Sequence, residues 1–185
     1  MKKIIGAINM TLDGYCDHTT MNADEEIHKH YADLLSSADA ILYGRITYQL
    51  MEFWPTIVKN PTGDKAMDDF AMTMENTQKI VFSHTLKELE WHSARLAQKD
   101  IQDEVAELRQ SNNNGKDIFV GSRSLIVELL NLGLVDEFQI LVQPIIAGKG
   151  LLLLDKITDR IDFKLLKTKT FSGGSVIFYY QPVKK

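Results

Sequence analysis

Apolar residues recur along this chain in short runs and helical stripes that alternate from its first residues. Lys3 to Asn9 carries isoleucine at 4, 5 and 8 and predicts a strand covered on both faces. Thr11 to Asn22, with Asp13-Gly14 and Asp17, reads as a loop. From Asp24 to Ser37, Ile27, Tyr31, Leu34 and Leu35 fall at helical spacing behind acidic residues that the start of a helix favours. Ala40 to Tyr43 predicts a second buried strand ending at Gly44, and residues 45–53 a short helix closed by Trp54-Pro55. Lys79 to Phe82 is a third strand, and Ile101, Val105 and Leu108 mark a helix. Asp117 to Val120 is a fourth strand. Gly121 ends it, and Leu125, Ile126, Leu129 and Leu130 line a helix that Gly133 terminates.

Val135 to Val142 predicts a long strand and Pro144 to Gly150 a turn-rich connection. Phe163 to Thr170 and Ser175 to Gln181 predict an antiparallel hairpin through Ser172-Gly173-Gly174. Strands joined by helices, then a hairpin, define an α/β fold: a mostly parallel sheet with an antiparallel edge, in one domain over residues 1–185.

Composition removes several function classes. The net charge of −4 carries no basic excess for nucleic acid or anionic lipid. The closing Val183-Lys184-Lys185 is too short for a polybasic arm. Cys16, the single cysteine, excludes an intramolecular disulfide framework and a Cys-built zinc site. The longest uncharged apolar stretch, residues 138–148, falls short of the ~20 residues of a membrane helix. The first residues run straight into a strand without a signal-peptide apolar region. The expectation is a cytoplasmic protein acting on a small molecule, with neither nucleic acid nor membrane as partner.

Candidate chemistry sits where three predicted strands end. Gly44-Arg45-Ile46-Thr47 combines a glycine turn, a helix start and two side-chain donors, which suits phosphate; a plain strand-to-helix turn with a solvated arginine is the alternative. Gly121-Ser122-Arg123-Ser124 suits a pyrophosphate, or a helix capped by Ser122 or Ser124. Ser83-His84 offers a hydroxyl and an imidazole to a further phosphate, or begins a surface loop. Ligands of parallel sheets collect outside the strands' carboxyl ends, so three such turns on one edge would converge on one multi-phosphate ligand such as a dinucleotide. Gly148-Lys149-Gly150 lacks the spacing of a P-loop, and no G-x-G-x-x-G follows the first strand. His28 and His30 lie two apart on a helix and point to different sides, so no metal site is expected.

The order of these pieces resembles the dihydrofolate reductase-like superfamily, and within it the riboflavin-biosynthesis reductase branch, the C-terminal domain of the bifunctional deaminase-reductase. The resemblance rests on Met10-Thr11-Leu12-Asp13-Gly14-Tyr15, on Ala38 to Tyr48, and on Val81-Phe82-Ser83-His84-Thr85-Leu86. It continues through Ile118-Phe119-Val120-Gly121-Ser122, Leu134 to Phe138 and Pro144 to Gly150. It implies helices sandwiching a mostly parallel sheet of about eight strands, an NADPH site, hydride transfer and a homodimer. Gly44, Arg45 and Thr47 would meet the cofactor phosphates, Ser83 and His84 its 2′-phosphate end, and Gly121 and Ser122 its pyrophosphate. Asp13 would border nicotinamide and substrate.

The chain departs from the pattern at three places. Ser122 replaces a usual second glycine. His84 stands where many relatives have arginine, leaving the preference for NADPH over NADH open. His28 aligns with the folate-binding carboxylate of true dihydrofolate reductases, which disfavours that activity; Asp24 or Glu25 lies about a turn earlier.

The resulting expectation is an NADPH-dependent reductase of a C=O or C=N group in a small, pyrimidine- or pteridine-like metabolite. Asp13 is its candidate catalytic residue, as proton donor, substrate anchor or orienter of water, against a plain turn-forming role before Gly14. Direct donation would require a raised pKa. Asn9, Trp54 and Gln143 are further candidates for lining the pocket. The alternative is a nucleotide- or small-molecule-binding protein of the same fold without turnover.

Overall fold

The computed structural model describes residues 1–20, 22–111 and 115–183; the basic end at Lys184 and Lys185 lies outside the described residues. Its strands are β1 (Ile4–Thr11), β2 (Ala38–Gly44), β3 (Lys79–Phe82), β4 (Ala94–Leu96), β5 (Asp117–Val120), β6 (Glu137–Gln143), β7 (Phe163–Thr170) and β8 (Val176–Pro182). The helices are α1 (Glu25–Ser36), α2 (Arg45–Met51), α3 (Trp54–Lys59), α4 (Lys65–Asn76), α5 (Ile101–Gln110) and α6 (Arg123–Asn131). The strands form one sheet in the order β4-β3-β2-β5-β1-β6-β8-β7. The pairings from β4 through β6 are parallel, and β6–β8 and β8–β7 are antiparallel.

Side chains alternate between the faces of a strand, so a strand covered on both sides reads as an unbroken apolar run. Ile4, Leu42, Ile80 and Ile118 pack with Ile101 and Val105 of α5 and Ile126 and Leu129 of α6. Their neighbours Ile5, Ile41, Val81 and Phe119 pack with Leu35 of α1, Tyr48 of α2, and Phe70 and Met74 of α4. Each fully buried side chain of this size contributes about 1.5–3 kcal/mol. Toward the antiparallel end, Leu141, Ile177 and Tyr179 pack with Ile27 of α1 and with Phe171. Asp24, Asp64 and Asp100 cap α1, α4 and α5, each accepting a backbone N–H of the first turn at 2.9 Å.

The helices α3 and α4 and the three-residue β4 carry no expectation from the sequence. The helix after β2 ends at Met51, and Trp54-Pro55 opens α3 instead of closing its predecessor. Proline fits there because the first turn of a helix leaves its N–H groups unpaired anyway. Lys79 joins α4 to the sheet. Fully buried, its ammonium donates to the Met74 and Thr77 carbonyls and to Ser93 Oγ, and lies 3.7 Å from the centre of the Trp91 ring. No described helix is long and apolar enough to cross a membrane.

Candidate functional site

Because β1 to β6 run parallel, their carboxyl ends share one edge of the sheet, and β5 ends early there. Val120, its last residue, is level with Gly6 on β1 and Leu42 on β2, yet β2 continues to Gly44 and β1 to Thr11. The result is a notch floored by the turn at Gly121 and flanked by Gly44 and the overhang of β1. Gly44 is level with Phe82, so Ser83 begins its turn beside it. The three turns singled out in the sequence therefore stand on adjacent strands, β3, β2 and β5, at one edge.

The first two turns are bonded together. Gly44 N donates to Ser122 Oγ at 2.8 Å, and a β-carbon on Gly44 would lie 3.3 Å from Ser124 Oγ. Ser122, almost fully buried, occupies the position preceding α6 but does not cap it with its side chain, because that hydroxyl serves the neighbouring turn. The first bond of α6 runs from Ile126 N to Ser122 O, so the amides of Arg123, Ser124 and Leu125 precede the helical ladder. Gly121 has a packing reason of its own: a β-carbon there would lie 2.8 Å from the Tyr43 ring. Arg45 is exposed and reaches Gln49 Oε1 at 3.1 Å, while Thr47 is half-buried. Ser83 Oγ accepts from Thr85 N at 3.1 Å and Leu86 N at 3.0 Å, closing its turn and leaving His84 exposed beside it.

Asp13 ties two loops together. Its Oδ1 accepts from Thr11 Oγ1 at 2.6 Å and Ala147 N at 3.0 Å, and its Oδ2 from Gly148 N at 2.7 Å. These donors, the Thr11 hydroxyl foremost, bring its pKa down to about 2. Among the roles open to Asp13, this geometry carries that of an acceptor that fastens the loop after β1 to the loop after β6. Asp17 reinforces the same seam by accepting from Leu151 N, and its carboxylate fills the space that a β-carbon on Gly150, where φ is +136°, would need.

The remaining candidates line the sheet's α1 face. The Tyr31 hydroxyl donates to Asn9 Oδ1 at 2.5 Å, a contact with no signal in sequence spacing. Gln143 clasps the backbone of Asn22, accepting from its N–H at 2.9 Å and donating to its carbonyl at 2.7 Å. His28 packs against Trp54 and Phe70, with ring centres 6.0 and 5.8 Å away, and burial lowers its pKa. An imidazole in aromatic surroundings thus fills the place that the resemblance aligns with a folate-binding carboxylate. Asp24 caps α1 and Glu25 is exposed on its first turn.

The sheet order, the antiparallel end and the edge of turns define a dihydrofolate reductase-like α/β fold. The chain belongs to the RibD C-terminal domain family, whose model matches residues 2–177. It is 34% identical over 183 residues to the uncharacterized protein YyaP of Bacillus subtilis, covering 97% of this chain and 94% of that one. A Shewanella sp. PV-4 protein with a provisional riboflavin-biosynthesis assignment superposes with a TM-score of 0.72 at 19% identity, over 100% of both chains. The diaminohydroxyphosphoribosylaminopyrimidine deaminase/5-amino-6-(5-phosphoribosylamino)uracil reductase of Thermotoga maritima gives 0.64 at 19% identity, over 98% of this chain and 57% of that longer one.

Proposed function

We propose that this protein is an NADPH-dependent reductase of a C=O or C=N group in a small, pyrimidine- or pteridine-like metabolite. The observation that carries the reading is the alignment of three donor-bearing turns on adjacent strands around the notch at β5. A dinucleotide needs several anion-binding points within one ligand's length, and adjacent parallel strands lie only ~5 Å apart. Arg45, Thr47 and the amides opening α6 would hold the pyrophosphate, and Ser83 with His84 the 2′-phosphate end. Gly44 gives room for the approach, its own N–H being committed to Ser122. Bound NADPH supplies the hydride. The protein's share is to fix the ring at the notch and exclude water. With Asp13 ionised, the proton comes from water in this proposal, and Asp13 holds the wall against which the substrate rests. The family's riboflavin-pathway reductase supports this reaction class. A cytoplasmic location and a homodimer belong to the same reading.

Arg45→Ala is expected to weaken NADPH binding, measured by fluorescence titration, by roughly ten- to hundredfold, the equivalent of about 1.5–3 kcal/mol for a charged hydrogen bond. Unchanged affinity would remove Arg45 from the phosphate site. Tight NADPH binding with no oxidation against carbonyl, imine and pteridine acceptors would instead select a binding protein of the same fold without turnover.

A further inference from the structure

We infer that α1 is a proton-sensitive cover on the sheet, seated by the neutral rings of His28 and His30 and loosened when either takes up a proton. This goes beyond the reductase reading and stands whether or not the notch holds a dinucleotide. Two residues apart, the histidines project from opposite flanks of the helix. On one flank His28 meets Trp54 of α3 and Phe70 of α4. On the other His30 meets Phe171, in the turn between β7 and β8, with ring centres 5.6 Å apart, and Tyr31 at 5.3 Å. Between these flanks α1 faces the sheet. Ile27 packs with Leu141 and Ile177, and the Tyr31 hydroxyl donates to Asn9 on the part of β1 that flanks the notch. Each imidazole wedges one edge of the same helix.

A charged ring suits neither place. His30 Nε2 is buried without a hydrogen-bond partner among the described residues, so a proton there finds no acceptor. Lys169 and Lys167 of β7 repel a further cation and outweigh the attraction of Asp33 on α1. The Phe171 ring already carries the Lys169 ammonium, 4.6 Å from its centre. Burial first, then these charges, brings the His30 pKa down to about 4. Burial also lowers that of His28, against the pull of Asp64 and Asp24. Glu26 holds the same turn from α1 by accepting from Ser172 N and Oγ at 2.7 Å, bonds that keep its carboxylate ionised. Lifting α1 returns both imidazoles to water, where each binds a proton near pH 6.5. The seated form is thus favoured in full above about pH 6.5 and loses ground as pH falls toward 4. Acid loosens the cover on the overhang of β1, and with it one flank of the notch.

Backbone hydrogen exchange, corrected for the pH dependence of the intrinsic rates, reads the seat of α1 directly. Between about pH 7.5 and 5 the protection of α1 amides should fall roughly ten- to thirtyfold. The amides of α5, which packs on the opposite face of the sheet, should change far less. His30→Phe fits the same aromatic surroundings without a titrating group. It should keep the protection seen at pH 7.5 and reduce the fall to the share left to His28; His28→Phe with His30→Phe should abolish it. The wild type gives a second answer that needs no variant: the His30 side-chain 15N shifts should stay those of a largely neutral imidazole down to about pH 5. Titration of His30 near pH 6.5 with α1 still protected overturns the inference. So does α1 protection that ignores pH, or an undiminished fall in the double variant. None of these measurements involves NADPH, so failure of the reductase reading leaves them intact.

Discussion

Asp13 accepts from one hydroxyl and two backbone amides, and each of these donors prefers the ionised form. Folding therefore depresses its pKa from an ordinary value near 3.8 to about 2. The unfolded chain takes up the proton first on acidification, so this contribution to stability is full above about pH 4 and drains away as pH falls toward 2. Urea unfolding measured across that range should show the loss in the wild type and a flatter acid limb in Asp13→Asn; identical limbs would mean that the carboxylate does not fasten the two loops. The Asp13-Gly14 pair stood out in the sequence as a turn or an active-site acid. Its bonds to the second loop were invisible there, because the amides that it accepts belong to Ala147 and Gly148, far along the chain. Asn9 is similar: a polar residue ending an apolar row was legible, but the Tyr31 hydroxyl that orients it comes from a helix whose rotation over the sheet only the packing fixes.

Elements were legible where burial wrote a simple period. Pairs such as Ile4-Ile5, Ile41-Leu42 and Ile118-Phe119 send one side chain to each face, and a doubly covered strand needs just that pattern. The helix α4 carries the stripe of Met67, Phe70, Ala71 and Met74 behind Asp64, a readable signal that the expectation left undrawn. The strand β4 offers no such signal, since its three residues are all half-buried and its place is decided by pairing with β3. Capping was legible as chemistry and misleading as geometry. Ser122 has the residue type and position of a helix cap, yet its hydroxyl crosses to the Gly44 amide and links the β2 turn to the β5 turn. Ser122→Ala should leave that amide without its partner and cost about 1–3 kcal/mol in equilibrium unfolding. It should also weaken NADPH binding through displacement of the Gly44 turn. A variant with wild-type stability would reduce Ser122 to a spacer.

The molecule as a whole places a short strand between two long ones, and the notch so formed is where the turns meet. No single tetrapeptide among Gly44–Thr47, Ser83-His84 and Gly121–Ser124 specifies a nucleotide site, and each has a plain structural use: Gly121 admits Tyr43, and Ser83 closes its own loop. Their weight comes from adjacency, which follows from the strand order β3-β2-β5 and could be anticipated only by assuming that the parallel strands share an edge. The β7 edge lies at the opposite end of the sheet order and has no part in the account. The most direct measurement is therefore a map of backbone amide shifts when NADPH is added to the 15N-labelled protein. Simultaneous, saturable shifts are expected at Gly44–Thr47, Ser83-His84 and Gly121–Ser124, with β7 silent; shifts confined to one of these turns, or absent from all three, would contradict a dinucleotide site at this edge.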